Sequence, residues 1–155
     1  MALSRPLLAV AAGASLAFAA WAYATYPTVG QLTYQLGSRA ESYLYGLHKA
    51  RVVVDGVPMA LYRSAGQGEA ILMLHGFSAD KDVWARFARH FSGDHQVIIP
   101  DMAGHGETGF KPQWSYSAPA QVDRLIKLMD QLGIPKAHVI GNSMGGHIAA
   151  QMAVS

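Results

Sequence analysis

Residues 137–153 read AHVIGNSMGGHIAAQMA, and this stretch decides the fold. Its first half, around Val139 and Ile140, is short, apolar and β-branched, as expected of a buried strand. Its second half, from Met144 through HIAAQMA, reads as the start of a helix over Met144–Val154. Between them lies Gly141-Asn142-Ser143-Met144-Gly145, a G-x-S-x-G turn with Gly146 behind it. With about one residue in ten being glycine, that five-residue pattern arises by chance in many chains. Its position between a strand and a helix is what gives it weight. There the serine sits on a sharp, strained turn and the glycines let the two backbones approach closely.

The same alternation continues upstream. Ala70–Leu74 (AILML) and Gln96–Pro100 (QVIIP) are continuous apolar runs of strand length. Val83, Trp84, Phe87 and Phe91 mark one face of a helix between them, ended near Gly93. Ser117 is placed to cap a second helix with a core face of Val122, Leu125, Ile126, Met129 and Leu132, closed by Gly133 and Pro135. Before all of these, 51–54 and 58–62 flank Asp55-Gly56, a strong hairpin signal. The order is a β-hairpin followed by β-α-β-α-β-α. It predicts an α/β fold with a mostly parallel sheet and flanking helices.

Composition narrows the partners. The chain has 155 residues, 51% apolar and 14% charged, with a net charge of +2 and no cysteine. It suits one globular domain at most. No run of Lys or Arg suggests nucleic acid. The absence of cysteine excludes disulfides, thiolate metal sites and a Cys nucleophile. The seven histidines show no metal-ligand spacing, so no metal and no cofactor are expected.

The N-terminus carries a separate signal. From Pro6 to Thr25 there is no charge, and Trp21, Tyr23 and Tyr26 gather at the far end. Such a stretch is just long enough to cross a hydrocarbon core of roughly 30 Å. The expectation is a signal anchor over residues 1–26, N-terminus inside, with the body on the extracytoplasmic side. A signal peptide cleaved near Ala22-Tyr23-Ala24 is the alternative, giving a secreted or periplasmic protein. An amphipathic helical linker is expected over 27–50, with Leu32, Leu36, Ala40, Tyr43, Leu44 and Leu47 on one side. Residues 51–155 form the α/β portion.

Chemistry concentrates at three strand ends. Ser143 is the candidate nucleophile, with its hydroxyl exposed at the turn. His75-Gly76-Phe77 follows the first buried strand and faces that turn in this architecture. The backbone N–H groups of Phe77 and Met144 are the candidate oxyanion hole. His75 reads better as a brace for its loop than as a catalytic group. Asp101, in Asp101-Met102-Ala103-Gly104-His105-Gly106, reads as an anchor for a glycine turn, and His105 as part of that turn. His147, one turn into the last helix, cannot swing back to serve as a base.

Taken together, HGFSADKDVWARFARHF, VIIPDMAGHGETGF and VIGNSMGGHIAAQMA resemble the α/β-hydrolase family, and within it the membrane-anchored monoacylglycerol lipases and lipase-like members. The likeness covers residues 48–155 well and the first segment loosely. It implies a serine hydrolase of carboxylic esters, with lipid esters such as monoacylglycerols as substrates, working through an acyl-enzyme at Ser143. A C–C bond hydrolase, a soluble-ester hydrolase and a non-catalytic binding protein on the same fold are the alternatives. Thr108 supplies the small hydroxyl residue that the family carries near this point. A serine at the turn argues against the related dehalogenases and epoxide hydrolases, which carry Asp there. In the family's chain order an acid and a histidine follow the serine. Residues 144–155 hold neither an acid nor a suitable histidine, so residues 1–155 read as the N-terminal portion of a longer hydrolase, inactive alone.

Overall fold

The computed structural model describes residues 5–154, leaving the side chains of residues 5–12 and 27 outside the description. Two compact units divide after Ala40. The first is most of one long helix, α1 (Arg5–Leu44). Expected as two segments, this stretch is one continuous helix. It stops at Tyr45-Gly46, where Gly46 takes φ +69°, a left-handed conformation that glycine adopts without strain.

The expected transmembrane span is overturned. Among the described residues no helix is long and apolar enough to cross a membrane. From Gly13 to Thr25 the helix is rich in alanine, interrupted by Ser15, Trp21, Tyr23 and Thr25, and is less hydropathic than a Leu- or Ile-rich span. The side chains of 6–12, counted in that expectation, lie outside the described residues. The single-pass topology, and the extracytoplasmic placement that depended on it, fall together.

The second unit is the α/β body. A hairpin of β1 (Leu47–Val54) and β2 (Val57–Ser64) turns at Asp55-Gly56, with φ +49° and +75°. Two positive φ angles are what a tight two-residue hairpin turn demands. Then come β3 (Ala70–Leu74), a short 3-10 turn (Lys81–Trp84), α2 (Ala85–Ala88) and β4 (Gln96–Pro100). The unit ends with α3 (Ala118–Gln131), β5 (Ala137–Gly141) and α4 (Met144–Met152).

The five strands form one sheet in the order β1-β2-β4-β3-β5. β3 runs parallel to β4 and β5, while β2 is antiparallel to both β1 and β4. The sheet is therefore mixed rather than mostly parallel, because the hairpin supplies two antiparallel pairings.

Alternation along the central strands feeds two cores. Leu72, Leu74 and Ile98 face Val122, Leu125, Leu128 and Ile148 of α3 and α4. Ile71, Met73, Val97 and Ile99 face Ala85 and Ala88 of α2. Each fully buried Leu, Ile or Met contributes about 1.5–3 kcal/mol by leaving water. Leu72 is fully buried in a central strand, and Leu72→Ala should cost about 2–5 kcal/mol. β5, at the sheet edge, is only half-buried.

The apolar face expected over 83–91 turns inward only in part: Trp84 and Phe91 pack against the core. Val83 and Phe87 are exposed, whereas Lys81, Ala85 and Ala88 are buried. The segment begins as a 3-10 turn with about three residues per turn, so a reading at period 3.6 places part of its inward side incorrectly.

Candidate active site

Ser143 occupies the turn between β5 and α4 with φ +51° and ψ −114°, a strained conformation for a side-chain-bearing residue. The glycines around it explain how the turn closes. A Cβ on Gly141 would collide with the Gly145 carbonyl, and one on Gly145 with the Leu74 carbonyl of β3. Strand end, helix start and neighbouring strand are thus in backbone contact. The Asn142 amide donates to Leu74 O at 3.0 Å, and the Gly145 amide to Asn142 O at 2.9 Å. Ser143 is exposed, and its hydroxyl does not cap α4. It stands at the N-terminal end of the helix, where backbone donors and the helix dipole favour negative charge.

The loop after β3 reaches the same place. A Cβ on Gly76 would lie 2.9 Å from Asn142 Oδ1 and 3.5 Å from Ser143 Cβ. The structure therefore brings Gly76-Phe77 and Ser143-Met144 together at the carboxyl ends of adjacent strands. Ligands of open α/β sheets bind at this edge. Phe77 is 76% exposed. Ser78 follows at φ +60°.

His75 is fully buried. Its Nδ1 lies 2.8 Å from Gly76 O, and the Met102 amide donates to its Nε2 at 3.1 Å. Both ring nitrogens are spent on backbone. Burial holds its pKa below the ordinary histidine value, against the opposing hydrogen bond to Gly76. Its ring centroid is 5.0 Å from that of His105, which stands 5.8 Å from the Phe77 ring.

Asp101, at the end of β4, is wholly buried. Its carboxylate accepts from the Lys81 amide at 2.7 Å, the Lys81 ammonium at 2.8 Å and the Glu107 amide at 2.8 Å. A Cβ on Gly106 would run into this carboxylate. Asp101 therefore anchors the turn and takes no part at Ser143. The Thr108 hydroxyl extends the anchor, donating to Asp101 O at 2.7 Å and accepting from the Ala60 amide at 2.9 Å.

Lys81 is the residue that sequence reading missed. Burial alone would lower its pKa, but the bond to Asp101 wins and the pKa is raised, so it stays charged. Glu107 lies 3.2 Å from the same ammonium and pairs with Lys49 on its outer side. Its signal in the sequence is a lysine at the start of a segment that is otherwise apolar on its inward side. Among the described residues no cluster of His, Asp and Glu could hold a metal ion. His147 is exposed, and only its backbone touches the turn, donating to Ser143 O at 3.1 Å.

A mixed sheet with helices on both faces, and a strained serine between its edge strand and the following helix, define the α/β class with a nucleophile-elbow turn. The α/β hydrolase fold family matches residues 69–155, and the chain belongs to that family. It is 37% identical over 102 residues to the dihydrolipoyllysine-residue acetyltransferase component of the acetoin cleaving system of Cupriavidus necator, covering 65% of this chain and 27% of that protein. It is 33% identical over 116 residues to monoacylglycerol lipase abhd6-B of Xenopus laevis, covering 74% and 32%. Among solved structures, a membrane phospholipase A described as a bacterial virulence factor superposes with a TM-score of 0.73 at 33% identity, over 97% of this chain and 47% of that one. The chain spans about a quarter to a third of the length of these curated relatives.

Proposed function

We propose that the protein carrying this chain is a serine hydrolase of carboxylic esters, with lipid esters of the monoacylglycerol kind as its substrates. The observation that carries this is Ser143 itself, held at φ +51° at the start of α4 and against the Gly76-Phe77 loop. Ser143 Oγ attacks the ester carbonyl, and the carbonyl oxygen becomes an oxyanion between the Phe77 and Met144 amides. Loss of one such donor costs about 2.7–4 kcal/mol of transition-state stabilisation. Collapse of the intermediate breaks the ester C–O bond and releases the alcohol, which takes the serine's proton from a histidine base. Water then hydrolyses the acyl-serine by the same route. In the family's chain order that histidine and its acid follow the serine. The resemblance to a monoacylglycerol lipase and a phospholipase A supports the lipid substrate.

A fluorophosphonate probe on the full-length protein tests the nucleophile. The expected result is one label, on Ser143, lost in Ser143→Ala; no labelling would sink the reading. A chain-length series of p-nitrophenyl esters and monoacylglycerols tests the substrate, with hydrolysis confined to short, soluble esters counting against lipids.

A further inference from the structure

The Gly76–Phe77 peptide is held by its carbonyl. His75 Nδ1 reaches Gly76 O at 2.8 Å, and the Ala79 amide reaches it at 3.3 Å. A carbonyl cannot donate, so Nδ1 carries the proton. The Met102 amide points at Nε2 from 3.1 Å, and an amide N–H cannot accept, so Nε2 is bare. Backbone at the end of β4 thereby dictates the tautomer of a histidine at the end of β3. A trans peptide is planar, with its N–H opposite its C=O. Whatever fixes the Gly76 carbonyl also fixes the direction of the Phe77 N–H.

We propose that His75 is a positioning residue: its imidazole, set in one tautomer by the Met102 amide, locks the Gly76–Phe77 peptide so that the Phe77 N–H is aimed at the oxygen beside Ser143. This rests on the reading of that amide as an oxyanion donor. The lock works only with neutral imidazole, because a proton on Nε2 would confront the Met102 N–H. Burial and His105 disfavour the charged ring. Asp101 and Asp80 pull the other way, but Asp101 is engaged by Lys81 and Asp80 by the Asp82 amide at 2.9 Å.

Two substitutions separate the ring's two contacts. His75→Asn can place an amide donor near the Nδ1 position, while His75→Gln can offer an acceptor near Nε2 and leaves Gly76 O without its imidazole donor. In the full-length protein, His75→Gln should lower kcat about tenfold, short of the roughly 10²–10³-fold for losing a donor outright, with KM within about twofold. His75→Asn should keep most of kcat. Equal kcat losses in both variants, in step with their losses of Tm, would overturn the proposal. A second measurement does not depend on turnover. Imidazole ¹⁵N spectra should show a protonated Nδ1 and a bare Nε2, and the Phe77 amide resonance should move in His75→Gln but not in His75→Asn. A protonated Nε2, or an unmoved Phe77 amide, also defeats the proposal. If the unsubstituted protein neither hydrolyses esters nor labels at Ser143, the proposed function fails, while the spectra still report on the lock.

Discussion

The Lys81 ammonium lies 2.8 Å from the Asp101 carboxylate, and neither side chain has more than 3% of its surface open to water. The pair joins the segment after β3 to the turn after β4. Removing one partner strands a buried charge, and breaking such a pair typically costs about 3–5 kcal/mol. Lys81→Met and Asp101→Asn should each lower the unfolding free energy from urea titration by an amount in this range. Asp101→Asn should be the worse of the two, because the Glu107 amide also depends on that carboxylate. The double variant should lose less than the sum of the singles. Additive losses would show that the pair is uncoupled.

Gly145 and Gly146 are neighbours with opposite tolerance. A Cβ on Gly145 meets the Leu74 carbonyl, which is backbone and cannot swing aside. On Gly146 the nearest atom is Gly141 O at 3.3 Å, so a small shift admits a methyl group. Gly145→Ala should therefore cost at least the roughly 1–3 kcal/mol of ordinary overpacking, and Gly146→Ala well under that. Thermal melts of the two variants check the ranking, and equal Tm values would refute the close approach at the turn.

The strain at Ser143 should be measurable as stability. A side-chain-bearing residue at φ +51°, ψ −114° costs about 1–3 kcal/mol, and glycine escapes most of that penalty. Ser143→Gly should be more stable than both Ser143→Ala and the unsubstituted protein, although it lacks the hydroxyl. Denaturation midpoints falling in any other order would contradict a strained turn.

Burial of His75 gives folding a pH dependence of known sign. Its pKa is lowered in the folded state chiefly by burial, with His105 adding to this and Gly76, Asp101 and Asp80 opposing it. The unfolded chain therefore binds a proton at this residue more readily. Stability is full above the ordinary histidine value of about 6.5 and declines as pH falls below it. Urea midpoints measured between about pH 5 and 8 should drop on the acid side, and His75→Asn should flatten that drop. Parallel curves for the two proteins would remove His75 as the cause.

Much of the body was legible because its signals are local. Asp55-Gly56 announces a turn with two positive φ angles, and Ala70–Leu74 and Gln96–Pro100 form strands over the residues expected. The turn around Ser143 could be read because glycines mark close backbone approach. The burial of Lys81 could not, since its partner lies 20 residues away and nothing near Lys81 names it. The inward side of 81–88 is legible only in part, because a 3-10 turn puts Val83 and Phe87 out of phase while Trp84 still packs inward. From Gly13 on, the span expected over Pro6–Thr25 is rich in alanine and broken by Trp21, Tyr23 and Thr25, and among the described residues no helix is long and apolar enough to cross a membrane. His75 stood out in the sequence as a brace, but its tautomer depends on the Met102 amide, which only folding brings to it.

The pairing of Leu74 with Gly141 has a consequence for tolerance to error. Both candidate donors hang from the ends of one parallel ladder, so the gap between them is the spacing of two strands, about 4.8 Å, plus the reach of two short turns. A slip of one residue would slide one amide past the other by about 3.3 Å and reverse the inward and outward faces of β5. The same apolar residues that keep β5 in register therefore act as the site's ruler: a substitution at Val139 that never touches a substrate can still miscalibrate the distance at which one is held.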